Sequence, residues 1–290
     1  MESLACLNGE LMPADRATVS IWDRGFTFGD AVYEVCRLYA GRCWLEDEHM
    51  ARLRRSLNEM GFVGVDLNGL EQRMHRTISE SGIEEGTVYL HITRGVAPRL
   101  HAFPDPAVVP PTELIVVRPY DDTTTAEKRA AGVAVISHPD LRWKRCDVKS
   151  TNLLANVIAN EAAQRAGAYE AILIDTDGQV TEATHSSVLW VRDGRLEGTP
   201  EGPGILPGTT RRFVQGLAPE LGIPFVEAQI TFGELLRAEE VLLAGTTIEV
   251  LPVVRVDGQP IGSGRPGAVA GRLQAAFRAA VERWLAPEPV

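Results

Sequence analysis

The 290-residue sequence has little of what marks several protein classes. Its four cysteines, Cys6, Cys36, Cys43 and Cys146, show no CxxC or metal-type spacing, which predicts free thiols rather than a disulfide framework or a metal centre. No uninterrupted apolar run is long enough to span a membrane, and no cationic start with an apolar stretch opens the chain. We therefore expect a soluble, cytoplasmic protein with no membrane partner.

Positive charge is also scarce, because 29 Lys and Arg residues face 39 Asp and Glu residues, a formal net charge of -10. Nucleic acids and anionic membranes favour basic surfaces, so this balance argues against either as a partner. The apolar fraction of 44% and the charged fraction of 23% are near globular averages. The length suits one large α/β domain or two of ordinary size.

Periodicity predicts a mixed first half. We expect strands at 31–39, 43–45, 88–95 and 113–120, amphipathic helices at 46–61 and near 69–82, and a proline-rich loop at 97–111. The polar stretch 121–131 is predicted to be an interdomain linker. A smaller N-terminal α/β domain would then cover 1–120.

The second half also mixes both types of element. We expect a strand at 132–138, a loop at 139–149, a helix at 150–167, a hairpin over 171–191, a loop leading into a helix at 207–222, and a strand at 239–253 broken by a loop. The sequence thus predicts an α/β (α+β) chain whose larger C-terminal domain, 132–290, carries Lys149.

Two ionisable residues stand where they could do chemistry. Lys149 immediately precedes the helix predicted from about Ser150, where the helix dipole favours the neutral amine that a Schiff-base lysine requires. Alternation places Glu182 on one strand face with Val180 and Thr184, so it needs a partner such as a pyridinium nitrogen if that face is covered. A solvated lysine and an exposed glutamate are the alternatives.

Three short motifs suit anionic ligands. Gly208-Thr209-Thr210 precedes a predicted helix and Gly245-Thr246-Thr247 follows a strand, and glycine with hydroxyl donors suits a phosphate, although turns with caps are the simpler interpretation. Arg99 and His101 would lie on one side of an extended segment and could bind a carboxylate, whereas most loop arginines are only solvated.

These residues lie in segments that resemble the fold-type IV pyridoxal-phosphate enzymes, the class IV aminotransferases. The segments are DRGFTFGDAVYEV (23–35), EHMARL (48–53), TRGVAPRLHAFP (93–104), RCDVKSTNLLANV (145–157), EATHSSV (182–188), LPGTTR (206–211) and AGTTIEV (244–250). They occur in this order over nearly the whole chain. The family includes D-amino acid and branched-chain amino acid transaminases and aminodeoxychorismate lyase.

The resemblance implies two domains with pyridoxal 5'-phosphate in the cleft between them. Lys149 would hold the cofactor as a Schiff base and shuttle a proton between the substrate α-carbon and the cofactor. Glu182 would pair with the pyridine nitrogen and Leu206 would pack against the ring. The implied phosphate ligands are Arg52, Gly208, Thr209, Thr210, Gly245 and Thr246.

Tyr33, Arg99 and His101 resemble the carboxylate trap of D-amino acid transaminases, in which the Arg-x-His pair comes from the partner subunit. This implies a homodimer that transaminates a D-amino acid such as D-alanine with a 2-oxo acid such as 2-oxoglutarate, by a ping-pong mechanism. The alternatives on the same fold are branched-chain L-amino acid transamination, (R)-amine transamination and aminodeoxychorismate lyase chemistry. A non-catalytic phosphate- or cofactor-binding protein is the alternative from another class.

The chain departs from the family pattern in two places. Ala183, Thr184 and His185 stand where glycine and small serine-type residues are more common, so His185 could change cofactor contacts or substrate range. Gly245 stands where a serine is common, which would remove one hydroxyl contact to the phosphate.

Overall fold

The computed structural model describes residues 2–287, which form two compact units. The first unit comprises the chain up to Asp121 together with Val148–Asn152, and the second comprises Asp122–Asp147 and the chain from Leu153 onward. Each unit has its own hydrophobic core.

The first unit is built on one antiparallel sheet. Its strands are β1 (Leu4–Leu7), β2 (Glu10–Pro13), β3 (Ala31–Tyr39), β4 (Arg42–Cys43), β5 (Gly86–Thr93) and β6 (Thr112–Pro119). They are ordered β2-β1-β6-β5-β3-β4, and every neighbouring pair is antiparallel. The predicted proline-rich segment 97–111 is a loop between β5 and β6, as expected.

The helices of this unit are α1 (Arg24–Phe28), α2 (Glu46–Glu59) and α3 (Leu67–Ser81). Leu53 and Leu57 of α2 and Leu70 and Met74 of α3 are buried in the core against the sheet, because each helix repeats its apolar residues every three to four positions. The periodicity therefore predicted both helices correctly. Helix α1 was not predicted.

The second unit contains a mixed sheet. Its strands are β7 (Val133–Pro139), β8 (Ala171–Ile174), β9 (Val180–Ala183), β10 (Ser187–Arg192), β11 (Arg195–Gly198), β12 (Phe225–Glu227), β13 (Glu240–Gly245), β14 (Glu249–Val256) and β15 (Gln259–Pro260). The order is β12-β11-β10-β13-β14-β7-β8-β9, with β15 paired to β14. Three neighbouring pairs are parallel, namely β14-β7, β7-β8 and β11-β12.

The helices of the second unit are α4 (Thr123–Ala131), α5 (Leu154–Arg165), α6 (Thr209–Glu220), α7 (Phe232–Leu235) and α8 (Ala268–Leu285). Trp190 on β10 and Phe277 on α8 are among the largest fully buried side chains of this unit. Among residues 2–287, no helix is long and apolar enough to cross a membrane.

The observed units differ from the sequence-based division in two places. Most of 121–131, expected as a linker, is helix α4, and Asp122 next to it accepts ion pairs from Arg129 and Arg278, which fasten α4 to α8. Residues Val148–Asn152, expected in the C-terminal domain with Lys149, belong to the first unit. Long-range hydrogen bonds to β3, which local sequence does not encode, account for the second difference.

The helix predicted from Ser150 begins instead at Leu154. The backbone before it is extended alongside β3, where Thr151 N donates to Ala31 O at 3.2 Å and the Thr151 hydroxyl donates to Gly29 O. Lys149 therefore does not precede the first turn of the helix, and the predicted influence of the helix dipole on its amine was wrong, since that influence does not extend beyond the terminal turn.

Candidate active site

Lys149 is held against β3 by its own backbone. Tyr33 N donates to Lys149 O at 3.0 Å, and Lys149 N donates to the Ser56 hydroxyl at 3.2 Å. The preceding Val148 is buried in the core of the first unit. The half-buried Lys149 side chain brings Nζ to 4.4 Å from the centroid of the Tyr33 ring. Two of the predicted site residues are thus in contact.

Tyr33 on β3 is followed by two aromatic side chains on β5, Tyr89 and His91. Its ring centroid lies 5.8 Å from that of Tyr89, whose hydroxyl is 2.8 Å from His91 Nδ1. Burial and the neighbouring Tyr33 raise the pKa of Tyr89 to about 12, and burial lowers the pKa of His91. Sequence reasoning missed Tyr89 and His91, although antiparallel pairing opposes His91 to Tyr33.

Arg52 lies in a buried ion cluster. Its Nε and Nη2 donate to the two oxygens of Glu34 at 2.7 and 2.8 Å, and His49 Nδ1 is 2.8 Å from the same carboxylate. Burial alone would raise the pKa of Glu34, but Arg52 and His49 hold it well below its ordinary value. The two-pronged contact fixes the plane of the Arg52 guanidinium. Glu34 and His49 were not predicted.

Arg99 and His101 are exposed in the 97–111 loop and share one neighbour. The Arg99 guanidinium carbon lies 5.0 Å from the centroid of the Phe28 ring, and the His101 ring lies 5.6 Å from it. The structure therefore brings the two residues to one aromatic side chain, in agreement with their predicted common side.

In the second unit, Glu182 is buried on β9 beside an arginine that sequence reasoning missed. Arg142 donates to Glu182 Oε1, and it also donates through Nη2 to Asp140 at 2.6 Å. Leu206 N lies 3.3 Å from Glu182 Oε2. Burial opposes the charge of Arg142, yet the Asp140 and Glu182 carboxylates raise its pKa. Arg142 thus places a guanidinium directly on the Glu182 carboxylate.

The first Gly-Thr-Thr motif forms the start of α6. Gly208 is the N-cap residue and, as a glycine, has no side chain with which to cap the helix. A Cβ atom on Gly208 would lie 2.7 Å from the Ser187 hydroxyl oxygen, so glycine keeps this space open. Helix N-terminal amides, a hydroxyl and a glycine-lined space form a donor set that fits a phosphate. Thr209 and Thr210 are buried in the first turn.

The second Gly-Thr-Thr motif lies at the end of β13, near Ser186. A Cβ on Gly245 would lie 3.6 Å from the Ser186 hydroxyl oxygen, but only 3.2 Å from Ile248 Cγ1. Ile248 would have to shift slightly for a serine to replace Gly245. Ser187 thus adjoins the first motif and Ser186 the second, and neither hydroxyl was predicted from the sequence. Thr246 lies half-buried in the turn.

His185 has a structural neighbour in the same unit. Its Nδ1 is 3.3 Å from Glu170 Oε1, and its ring lies 6.2 Å from that of Tyr169. Glu170 is fully buried and also accepts from His185 N and the Ser186 hydroxyl. These bonds interrupt the strand expected through 179–191, so β9 ends at Ala183 and β10 begins at Ser187.

One other group of side chains has the composition of a metal site. The ligand atoms of Glu46, Glu71 and His75 lie within 4.8 Å of one another. His75 Nε2 is 2.5 Å from Glu46 Oε1, and the His75 side chain is half exposed. An exposed ion pair is enough to explain this group.

Comparisons with known proteins agree with this arrangement. The model of the family described as amino-transferase class IV matches residues 31–256. The D-alanine aminotransferase of Bacillus licheniformis is 41% identical over 275 residues, which are 93% of this chain and 94% of that protein. The D-alanine aminotransferase of Staphylococcus aureus (strain N315) is 38% identical over 283 residues, 95% of this chain and 97% of that protein.

Solved structures share the fold. The branched-chain amino acid aminotransferase of Escherichia coli superposes with a TM-score of 0.88 at 27% identity, covering 96% of this chain and 94% of that one. A second branched-chain amino acid aminotransferase, from T.th. and solved with pyridoxamine 5'-phosphate, gives 0.88 at 26% identity, covering 98% of this chain and 95% of that one. The fold class predicted from the sequence is confirmed.

Proposed function

The chain belongs to the class IV aminotransferases, and we propose that it transfers the amino group of a D-amino acid, such as D-alanine, to a 2-oxo acid, such as 2-oxoglutarate. The observation that carries this proposal is the contact of the Lys149 amine with the Tyr33 ring. The same chain contains Arg99 and His101, which we propose as ligands of the substrate carboxylate. Curated D-alanine aminotransferases at 38–41% identity support it.

The cofactor of this family is pyridoxal 5'-phosphate. When bound, it takes up the amino group and stabilises the negative charge that develops on the substrate α-carbon. Lys149 would hold it covalently through Nζ and, once released by substrate, carry the α-proton as a general base and acid. The backbone bonds to Tyr33 and Ser56 fix where that amine can reach.

Further residues are proposed as cofactor ligands. Glu182, paired with Arg142, would accept a hydrogen bond from the protonated ring nitrogen, and Leu206 would pack against the ring. The amides at the start of α6 and the Ser187 hydroxyl would bind phosphate oxygens, together with the Gly245-Thr246 turn. Arg52, whose guanidinium is oriented by Glu34, is a further proposed phosphate ligand.

Tyr33, Arg99 and His101 would bind the substrate carboxylate. An anchored carboxylate decides which of the two enantiomers presents its α-hydrogen to the Lys149 amine, because the remaining substituents must then occupy fixed directions. The retention of all three residues, and the likeness to D-alanine aminotransferases, favour the D-enantiomer.

We also propose a homodimer in which Arg99 and His101 serve the site of the other copy. Large apolar side chains beside them are exposed, among them Phe26 (73%) and Leu100 (65%). On α5, one face exposes Leu154, Val157 and Ile158. Exposed apolar surfaces of this kind are typical of subunit interfaces. Sedimentation of wild type and of Val157→Asp at micromolar concentration tests this, and a wild-type monomer with full activity would contradict it.

A cytoplasmic location is part of the same proposal. All four cysteines are free thiols, and three of them are buried. Hydrogen bonding to Cys43 and burial raise the pKa of Cys36 well above its ordinary value, so the thiol stays protonated. Unpaired thiols persist where the compartment is reducing, which supports this location.

The products of turnover test the proposed function. Purified enzyme loaded with pyridoxal 5'-phosphate is supplied with 2-oxoglutarate and either D-alanine, L-alanine or L-leucine, and the 2-oxo acid and glutamate are analysed on a chiral column. Formation of pyruvate and D-glutamate from D-alanine alone supports the proposal. Turnover of L-leucine instead would assign the chain to the branched-chain activity of the same fold.

A further inference from the structure

The loop that carries Arg99 and His101 is tied to the core of its unit by one buried side chain. Arg24, on α1, is 3% exposed. Its Nη1 donates to Leu100 O at 2.7 Å and to Ala102 O at 3.3 Å. These two carbonyls belong to the residues on either side of His101, and Leu100 also follows Arg99 directly. Arg24 therefore fixes the main chain from which both side chains project.

The other end of the Arg24 guanidinium is anchored. Its Nε donates to Asp30 at 2.7 Å, and the same carboxylate accepts from Arg94 Nε at 2.9 Å. Arg94 in turn donates to Met60 O and Gly61 O at the end of α2. Two arginines and one aspartate thereby connect the loop to the C-terminal end of α2.

Aromatic rings complete this support. The Arg24 guanidinium carbon lies 4.8 Å from the centroid of the Phe28 ring, the same ring that contacts Arg99 and His101. The Phe103 ring, farther along the loop, lies 3.6 Å from the guanidinium carbon of Arg94. Planar cations stacked on rings limit side-chain rotation, so these contacts restrain the side chains around the loop.

We propose that Arg24 is a positioning residue for substrate carboxylate binding, acting through the main chain of Leu100 and Ala102 on Arg99 and His101. The inference rests on the proposed function, because it requires that these two residues bind the carboxylate. Arg24 touches neither substrate nor cofactor in this account. It sets the distance and direction from which the Arg-x-His pair meets the carboxylate.

Arg24→Met is the informative variant. Asp30 keeps its contact with Arg94, so the substitution leaves no buried carboxylate without a cation. We expect the KM for D-alanine to rise about 10- to 100-fold, since small displacements of positioning groups have effects of this size. The inhibition constant of propionate, a plain carboxylate, should rise in parallel, while kcat at saturating D-alanine and the visible band of the bound cofactor stay close to wild type.

Two further variants separate positioning from general damage. Arg37 is also buried and lies near the C-terminal end of β3. It pairs with Glu85, donates to the carbonyls of Leu38 and Gly86, and stacks on two aromatic rings. Arg37→Met should lower stability comparably and leave KM and propionate inhibition unchanged. Arg24→Lys keeps the charge but cannot reach Asp30 and both carbonyls together, so its KM should be intermediate.

The inference is overturned if Arg24→Met changes KM and propionate inhibition no more than Arg37→Met, or if kcat and cofactor binding fall while KM stays constant. Failure of the proposed function would look different, because wild type itself would not convert D-alanine. Hydrogen exchange then still decides the positioning claim. The Leu100 amide, which donates to Pro98 O, should exchange faster in Arg24→Met than in wild type. Equal exchange would overturn the claim.

Discussion

Replacement of the Arg142 side chain should both destabilise the second unit and impair the reaction. The side chain is 4% exposed, and it faces the Asp140 and Glu182 carboxylates, which are 11% and 12% exposed. Arg142→Met leaves these two acids together without their cation. Breaking a buried ion pair by removing one partner costs about 3–5 kcal/mol, so the free energy of unfolding should fall by that amount at pH 7.

The assay is urea unfolding of the cofactor-free protein, with Arg145→Met as the matched control. Arg145 also pairs with an aspartate, Asp147, but its side chain is 42% exposed, and an exposed pair contributes about 0–1 kcal/mol. Similar losses for both variants would refute the reasoning.

The pH dependence of Arg142→Met gives a second test. Burial would raise the pKa of Asp140, but hydrogen bonding and charge from Arg142 lower it, so this stabilisation is present above the unfolded pKa and lost as pH falls. The stability difference between wild type and variant should therefore hold from pH 7 down to about pH 4 and shrink as the pH falls further. A difference that does not change with pH would contradict the assignment.

Three further predictions concern single residues. Gly208→Ala should weaken binding of pyridoxal 5'-phosphate to the cofactor-free enzyme about tenfold, because the added Cβ would lie 2.7 Å from the Ser187 hydroxyl oxygen. The control is Gly216→Ala, in open space on the same helix, and equal affinities of the two variants would contradict the prediction. Burial opposes the charge of His49, but the Glu34 carboxylate beside it raises its pKa, so its stabilisation is complete below the ordinary histidine value of about 6.5 and lost as the pH rises through the raised pKa. Unfolding between pH 6 and 10 should show this loss in wild type and not in His49→Gln. Lys149→Ala should reduce turnover of D-alanine by about 10⁴-fold or more, whereas Lys144→Ala, at a nearby exposed lysine, should not.

Local pattern was enough to predict much of the fold. The apolar and aromatic run at 31–39 corresponds to β3, which is buried on both faces. The helical spacing in 46–61 corresponds to α2, because that pattern records which side of the helix is buried. The extended segment around Lys149 could not be predicted in this way. Its conformation depends on hydrogen bonds to Ala31 and Tyr33, more than a hundred residues earlier in the chain.

The candidate site also contains residues that local sequence indicates and residues that only the folded structure reveals. Lys149, Glu182 and the Gly-Thr-Thr motifs could be singled out because their residue types and spacing suggest particular chemistry. Arg142 could not, since it lies in a loop with Lys144 and Arg145, and only burial beside Glu182 distinguishes it from them. Ser187 became apparent only through its closeness to Gly208.

The central claim is that Lys149 carries pyridoxal 5'-phosphate in an enzyme that selects D-amino acids. The most direct measurement is to add D-alanine, and separately L-leucine, to the loaded enzyme without a 2-oxo acid and to follow the visible absorbance. We predict that D-alanine alone converts the lysine-bound cofactor to pyridoxamine 5'-phosphate. Conversion by L-leucine alone, or the absence of any visible cofactor band in the loaded wild type, would contradict the account.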